Sequence, residues 1–195
     1  FNGATSLKLS QIERYLENSK SNYKNNNLGG LYKIKHKNHF VMIDIDKPPQ
    51  KKFSRSYQSG PLSFEYFLDG TKIITNSGFG NHISKKAELL SRLTACQSTL
   101  TVNDTSITKF EKNELIIKVF GNSIKDSFKF FDIDLKDKGH LIGCSASNNG
   151  YENNFGCTHN REVYLDKENN YLKGTDHIFK SKDGSKRFKL LCVLT

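Results

Sequence analysis

The feature that most constrains the fold of this chain is an alternation of apolar and polar residues with a period of two. The segment LYKIK, which begins at Leu31, carries apolar side chains at every second position, and so does VMIDI, which begins at Val41. Because residues two apart on a strand share a face, both segments are predicted to be strands. The change of phase around His36 to His39 predicts a hairpin turn, and the lysines beside these histidines indicate a solvated basic tip.

Nine further segments have the composition of strands. They are LSFEYFL, KIITNS, STLTVN, ELIIKVF, FKFFDIDL, HLIGCSAS, REVYLD, YLKGTDHIF and RFKLLCVL. The Asp69-Gly70 pair between the first two predicts a tight hairpin turn. Strands in such number, with almost no helix after residue 30, predict an all-β fold, a multi-stranded antiparallel β-sandwich. For residues 83–93 the sequence leaves two alternatives, a short helix or an irregular crossing between strands.

The N-terminal segment differs from the rest of the chain. Residues 6–19 place apolar side chains at helical spacing, and Ser10 is available as an N-cap, so a short helix is predicted there. The Asn-, Ser- and Gly-rich sequence that follows is typical of a linker. The predicted division is therefore an N-terminal segment of residues 1–28 and a sandwich domain of residues 29–195. This domain is expected to be truncated, because the chain stops just after an apolar strand.

The charge of the chain favours anionic partners. Thirty Lys and Arg against twenty Asp and Glu give a net charge of +10, which attracts nucleic acid, acidic polysaccharide or anionic membrane. A solvated basic surface without a partner is the alternative. No nucleic-acid recognition motif is present, so nucleic acid is not expected as a partner. No apolar run reaches the length of a membrane span, so a membrane is not expected either.

The four cysteines, Cys96, Cys144, Cys157 and Cys192, form no CxxC pair and no zinc-finger spacing. A disulfide between Cys144 and Cys157 across a hairpin is one interpretation. Reduced thiols within the core are the other, and the one we favour, because isolated cysteines on strands usually behave as small apolar residues.

Three stretches, in order, resemble the C-terminal region of heparinase II/III-like polysaccharide lyases. They are GGLYKIKHKNHFVMIDIDKPP, SYQSGPLSFEYFLDGTKIITNSGFG with SRLTACQSTLTVNDTS, and NNGYENNFGCTHNREVYLDKENNYLKGTDHI. The second is the most specific, because it joins LSFE, a turn and a segment similar to the family's Arg-Thr-x-x-His-Ser-Thr. FNGATS at the start resembles the end of the family's helical domain. Residues 1–28 are accordingly interpreted as the tail of that domain and a linker.

The resemblance implies an enzyme with an N-terminal α/α toroid and a C-terminal β-sandwich that cleaves uronate-containing polysaccharides by β-elimination. In the family the main catalytic groups come largely from the toroid, so this chain alone is expected to be inactive. The implied partners are acidic polysaccharide and the toroid of the same parent chain, in a periplasmic or secreted location, with the cytoplasm as the alternative. The competing interpretation is a non-catalytic carbohydrate-binding or structural module of a parent that has lost lyase activity.

The resemblance also implies a zinc site in the sandwich, but the positions of its ligands are filled differently here. They fall on Ser56, Gln58, Gly60 and Gln97. None of these is a good zinc ligand, so no zinc is expected.

Six residues are candidates for substrate binding: Tyr57, Gln58, Arg92, Gln97, His159 and Arg161. The two glutamines can bond each other or a sugar, since each amide both donates and accepts. An arginine binds a carboxylate or sulfate with two bonds, and a tyrosine stacks on a sugar ring. The structural alternatives are a polar pair that ties two strands together, and an ion pair within the domain.

His159 and Arg161 lie two residues apart and are predicted to share one face of a strand. That face either meets substrate or the toroid, or holds a histidine satisfied within the domain. Tyr151, in a Gly- and Asn-rich connection, either closes over a ligand or anchors its loop to the core.

Overall fold

A computed structural model of the chain describes residues 27–28, 30–180 and 190–192. The helix predicted over residues 6–19 lies outside the described residues. These described residues form eleven strands. They are β1 (Asn27–Leu28), β2 (Leu31–His36), β3 (His39–Asp44), β4 (Phe64–Leu68), β5 (Thr71–Ile74), β6 (Leu100–Val102), β7 (Phe130–Lys138), β8 (Leu141–Asn148), β9 (Cys157–Asp166), β10 (Tyr171–Lys180) and β11 (Leu190–Cys192).

Two antiparallel sheets make up most of the fold. The first has five strands in the order β1-β2-β3-β4-β5, and the second has four in the order β10-β9-β8-β7. Within each sheet, neighbours along the chain are neighbours in space, as in a series of hairpins. A further pair, β11 and β6, is also antiparallel.

The main core lies between the inner faces of these two sheets. Every second residue of β2 and β3 is buried, including Ile34, Val41 and Ile43, and these pack in one cluster with Cys144 of β8 and Val163 of β9. A second cluster, which includes Leu100, Phe128 and Tyr151, lies around β6. The antiparallel β-sandwich predicted from the sequence is confirmed.

Two hairpin turns match the sequence prediction closely. β2 and β3 are joined by two residues, since His36 pairs with His39, and Lys37 has a positive φ of 48°. In the turn between β4 and β5, Asp69 and Gly70 have φ of 51° and 76°. Positive φ at both central residues matches the right-handed twist of the flanking strands, which is why Asp-Gly is favoured there.

The expected solvated tip is wrong for His39. This side chain is 3% exposed, stacks on Tyr66, and its Nδ1 lies 2.9 Å from the Tyr66 hydroxyl. The reason is strand phase: on β3, His39 points to the same side as Val41 and Ile43, which form the core.

The segment ELIIKVF, predicted as a strand, is instead a helix. The described residues contain the helices α1 (Lys85–Leu90), α2 (Glu114–Phe120) and α3 (Glu152–Phe155), with 3₁₀ turns at Lys51–Phe53, Gly80–His82 and Thr94–Cys96. Asn113 caps α2 by accepting bonds from the backbone N–H groups of Leu115 and Ile116, and Gly121, with a φ of 68°, ends it. These end signals outweigh the strand propensity of the apolar run between them. Among the described residues, no helix is long and apolar enough to cross a membrane.

The segment of residues 83–93, for which the sequence left two alternatives, contains α1, which Ser84 caps by accepting a bond from the backbone N–H of Ala87.

The two cysteines considered for a disulfide are free thiols that lie in different clusters. Cys144 is in the main core and Cys157 is in the second cluster. Burial raises the pKa of the Cys144 thiol to about 12, which suits an unreactive core residue.

Candidate functional site

A cleft lined mainly by polar residues lies on the outer face of the five-stranded sheet, on the side away from the main core. Strand alternation that buries Val41 and Ile43 turns Met42 and Asp44 outward. The loops between β3 and β4, and between β5 and β6, cover this face. The cleft has a volume of about 280 Å³ and is called the amide cleft below. It is lined by Leu31, Met42, Asp44, Gln58, Ser63, Glu65, Asn76 and Gln97.

Two of the predicted binding residues, Gln58 and Gln97, meet in this cleft. The Nε2 of Gln97 donates to the side-chain oxygen of Gln58 at 3.4 Å and to the backbone oxygen of Ser91 at 2.8 Å. Gln97 is only 2% exposed. A Cβ atom at Gly60 would lie 2.9 Å from the Cγ of Gln97, so the absence of a side chain there lets the two loops approach.

Three further polar residues of the cleft, Asp44, Glu65 and Asn76, are not singled out by the sequence patterns. Burial raises the pKa of Asp44 to about 7. The carboxylate of Glu65 accepts a bond from the hydroxyl of Thr75 at 3.2 Å and one from the backbone N–H of Asn76 at 3.3 Å. Strand phase could have indicated the two acids, since both are the outward members of otherwise apolar strands.

Asn76 is held by the loop that carries Gln97. Its Oδ1 accepts bonds from the backbone N–H of Ser98 at 2.8 Å and from the Ser98 hydroxyl at 3.0 Å. Within the described residues the Nδ2 of Asn76 makes no hydrogen bond, and the residue lines the cleft. The Ser98 hydroxyl also bonds the backbone oxygen of Phe64, which joins this loop to β4.

Arg92 lies inside the domain and not on the wall of the cleft. It is 0% exposed, its Nε donates to the backbone oxygen of Tyr57 at 2.9 Å, and its Nη2 donates to that of Ser54 at 2.9 Å. The guanidinium stacks 4.1 Å from the centroid of the Phe110 ring. Burial lowers the pKa of Arg92, although Glu88 opposes the shift. Arg92 therefore fixes the loop that presents Gln58, instead of the predicted ion pair or ligand contact.

The predicted common face of His159 and Arg161 is observed, and it turns into the domain. Arg161 is 2% exposed and donates from Nε and Nη2 to the Asp176 carboxylate at 2.7 and 2.8 Å. Its Nη1 donates to the backbone oxygens of Leu62 at 2.9 Å and Ser98 at 2.6 Å. Arg161 thus joins the two loops of the amide cleft to the four-stranded sheet.

The protonation of His159 follows from its neighbours. Its Nε2 lies 2.7 Å from Asp176, and its Nδ1 lies 3.4 Å from the side-chain nitrogen of Asn148. Burial lowers the pKa of His159 despite the nearby carboxylate. The lowered pKa favours the neutral imidazole at neutral pH, and a neutral ring that donates to the Asp176 carboxylate carries its proton on Nε2. Burial alone would raise the pKa of Asp176, but the bonds from His159 and Arg161 outweigh burial and hold that pKa well below its usual range.

The two tyrosines also pack inward. Tyr57 contacts the second core cluster, its hydroxyl is buried without a hydrogen-bond partner among the described residues, and burial raises its pKa. Tyr151 is fully buried, and its hydroxyl lies 3.1 Å from the backbone oxygens of both Leu100 and Thr105. Tyr151 is thus the loop anchor that the sequence left as one of two options.

The four positions expected to replace zinc ligands present donors that zinc does not favour. Ser56 is exposed, Gly60 has no side chain, and the amides of Gln58 and Gln97 bond each other. Within the described part of the chain, no group of three His, Cys, Asp or Glu side chains is placed to hold a metal ion. These residues do not fit a structural zinc, which is bound by thiolates, imidazoles and carboxylates.

Comparison with known proteins identifies relatives of the whole fold. Residues 19–195 match the family model described as Heparinase II/III-like, C-terminal. The chain resembles a heparan sulfate lyase HepC mutant from Pedobacter heparinus, with 17% identity and a TM-score of 0.59 over 89% of this chain and 25% of that chain. It also resembles a heparinase III, with 15% identity and a TM-score of 0.58 over 91% of this chain and 27% of that one.

At these identities the two structures establish the fold alone. The chain spans about a quarter of the length of each. No curated protein sequence matches it.

Proposed function

The chain belongs to the heparinase II/III-like C-terminal family, and from that membership we propose that it is the β-sandwich domain of a polysaccharide lyase. The parent would cleave uronate-containing polysaccharide by β-elimination. The observation that carries the proposal is the family match over residues 19–195, together with a fold shared with two heparin-type lyases. The net charge of +10 supports an anionic polymer as the substrate.

The chemistry assigns separate tasks to the two parts of such a parent. A base must remove the proton beside the uronate carboxylate, a positive or hydrogen-bonding group must stabilise the enolate, and an acid must protonate the leaving oxygen. In this domain, His159 is neutral but enclosed, and its hydrogen bonds to Asp176 and Asn148 occupy both ring nitrogens. We therefore assign the main catalytic groups to the α/α toroid of the same parent chain.

The role proposed for this domain is to form one wall of the substrate cleft. Gln58 and Gln97 would contact sugar directly because both line the cleft, and Gln97, which is 2% exposed and bonds within the domain through Nε2, would do so through its side-chain oxygen. Arg92, Arg161, His159 and Tyr57 would act indirectly, as positioning residues that hold the loops on which those amides lie. This division is supported by the bonds from Arg92 and Arg161 to loop carbonyl oxygens.

The domain is proposed to work without zinc, because serine, glycine and two amides stand at the ligand positions. Metal analysis of the purified chain tests this point. We expect less than about one-tenth of a zinc per chain, since amides bind Zn²⁺ far more weakly than imidazoles or thiolates do. Stoichiometric zinc would contradict it. A polysaccharide substrate also favours a secreted or periplasmic location, which fractionation of the source cells would test.

The second candidate function is a non-catalytic carbohydrate-binding or structural module. This alternative is favoured by the residues at the positions expected for zinc ligands, which are Ser56, Gln58, Gly60 and Gln97. The deciding experiment is lyase activity of the full-length parent on a panel of uronate polysaccharides, followed by the ultraviolet absorbance of the unsaturated product. The 195-residue chain is run beside it. Lyase activity of the parent, but not of the 195-residue chain, supports the lyase proposal. Absence of activity of the parent on every polysaccharide in the panel favours the non-catalytic module.

A further inference from the structure

The amide cleft holds more hydrogen-bonding groups than the domain itself uses. Gln97 is 2% exposed, yet within the described residues its Oε1 accepts no hydrogen bond, since both of its bonds are made by Nε2. The Nε2 of Gln58 and the Nδ2 of Asn76 are likewise unused there, because both residues bond through oxygen. Because the Gln97 Oε1 keeps contact with solvent, water in the cleft or a hydroxyl group of a ligand can donate a hydrogen bond to it.

The shape of the cleft limits the ligand to a small one. Its volume is about 280 Å³, just below the range of about 300–1,000 Å³ that is usual for pockets of drug-sized ligands. Leu31 and Met42 add apolar surface beside the carboxyl groups, since Leu31 pairs with Asp44 and Met42 pairs with Glu65 across neighbouring strands. A pyranose ring also combines the two kinds of surface, with C–H groups on its faces and hydroxyls around its edge.

The charge of the cleft is opposite to that of the chain. Asp44 and Glu65 both line it, and none of its eight lining residues is a lysine, arginine or histidine, although the net charge of the chain is +10. Carboxylates accept hydrogen bonds from hydroxyl groups but repel another carboxylate or a sulfate. Together with the amides, they favour a ligand that is rich in hydroxyls and carries no negative charge.

We propose that the amide cleft is a subsite for an uncharged sugar ring, which would select for a neutral residue at one position of the bound polysaccharide. The inference rests on the proposed function, because it assigns that ring to the polymer that the domain would hold. Acidic residues of the same polymer would lie elsewhere, on the basic surface of the chain or on the toroid.

The test is titration of the 195-residue chain with matched pairs of methyl glycosides, followed by NMR of backbone and side-chain amides at pH 8. Each pair is a neutral hexoside and its uronide, in the gluco and galacto series, with methyl N-acetylglucosaminide added. We expect at least one neutral glycoside to shift the side-chain amide signals of Gln58, Asn76 and Gln97. The matched uronide should bind about tenfold more weakly.

Two variants test the contacts. Gln58→Leu should weaken binding of the neutral glycoside about tenfold, in line with the loss of hydrogen bonds. Gln50→Leu makes the same change at an exposed glutamine outside the cleft and should leave the affinity unchanged. The double variant Asp44→Asn with Glu65→Gln keeps the shape of the cleft but removes its negative charge. Its affinity for the uronide should come to within about threefold of its affinity for the neutral glycoside. The amide spectrum of each variant shows whether it is folded.

The proposal is overturned if no neutral glycoside shifts the three side-chain amide signals, or if the uronide binds the wild-type chain as tightly as its neutral partner. These outcomes differ from failure of the lyase proposal. If the chain binds the neutral glycoside but the parent has no lyase activity, only the lyase proposal fails. If the parent is active but the chain does not bind the glycoside, only the subsite proposal fails.

Discussion

Asp176 on β10 binds Arg161 on β9 through both carboxylate oxygens, at 2.7 and 2.8 Å, where the arginine side chain is 2% exposed. The same arginine reaches the backbone oxygens of Leu62 and Ser98. One carboxylate therefore neutralises the group that connects the four-stranded sheet to both loops of the amide cleft. The stability of the cleft and that of the sandwich are linked through this pair.

Asp176→Ala is expected to lower the free energy of unfolding by about 3–5 kcal/mol, because it removes the carboxylate that neutralises the buried charge of Arg161. Urea denaturation of the variant and the wild type at pH 7 measures the difference. Asp126→Ala removes a carboxylate from an exposed pair, 3.8 Å from Lys109, and should cost less than about 1 kcal/mol. Equal losses in the two variants would contradict the central role of Asp176.

Asp44 gives the stability of the chain a pH dependence of its own. Its pKa is raised to about 7 in the folded state by burial, whereas an unfolded Asp titrates near 4. The folded chain thus binds the extra proton between about pH 4 and 7 and loses stability as the pH rises through that window, by up to about 1.4 kcal/mol per pH unit. Asp44→Asn should remove this slope.

Urea midpoints of the wild type and of Asp44→Asn at pH 5, 6, 7 and 8 test the assignment. The variant should gain stability relative to the wild type as the pH increases, and the gap should be widest at pH 8. Parallel profiles would show that Asp44 titrates as an ordinary surface carboxylate. Asp126→Asn makes the same substitution at an exposed pair and is the control, and its difference from the wild type at pH 8 should be smaller than that of Asp44→Asn.

Arg92→Met should loosen the loop that carries Gln58. The methionine retains apolar volume against Phe110 but leaves the backbone oxygen of Tyr57 without its donor, at about 1–3 kcal/mol. The backbone oxygen of Ser54 loses one of its two donors and keeps the backbone N–H of Tyr57. Hydrogen exchange of residues 54–60 should accelerate more than exchange in β8. Arg55→Met changes an exposed neighbour and should stay within about 0.5 kcal/mol of the wild type.

Asn113→Ala should destabilise the chain by about 1 kcal/mol, because it removes the side-chain oxygen that accepts the first N–H groups of α2. Asn113→Asp keeps an acceptor at the same position and should retain the wild-type stability. Thermal unfolding of the two variants distinguishes them. Loss of stability in both would mean that some contact other than the cap is responsible.

The sequence predicted those parts of the fold that are determined locally. The Asp69-Gly70 turn needs only its own two residues, and the hairpin at His36 to His39 follows from the change of phase. The helix at Glu114–Phe120 was missed because LIIKV suits a strand as well as a helix, and the deciding residues, Asn113 and Gly121, lie outside the apolar run. His39 was misplaced because Lys35 and Lys37 lie near it in sequence, whereas in the fold its ring stacks on Tyr66.

The sequence indicated some residues of the candidate site but not the contacts that position them. Resemblance to a family brought Gln58 and Gln97 together across 39 residues, and they do meet. Charge suggested that Arg92 and Arg161 would face a ligand, because arginines are seldom buried without partners. Their partners are mainly backbone oxygens and one carboxylate from distant segments, and the sequence has no pattern that reveals such contacts.

The bonds of Arg92 and Arg161 to carbonyl oxygens have a consequence for how the domain can evolve. Every residue of a loop carries the same carbonyl group, so these bonds persist when the loop side chains change. Mutation can therefore alter the side chains at positions such as 58 while the path of the backbone is retained. A lineage could exchange one ligand preference for another at this face in single steps, without passing through an unfolded intermediate.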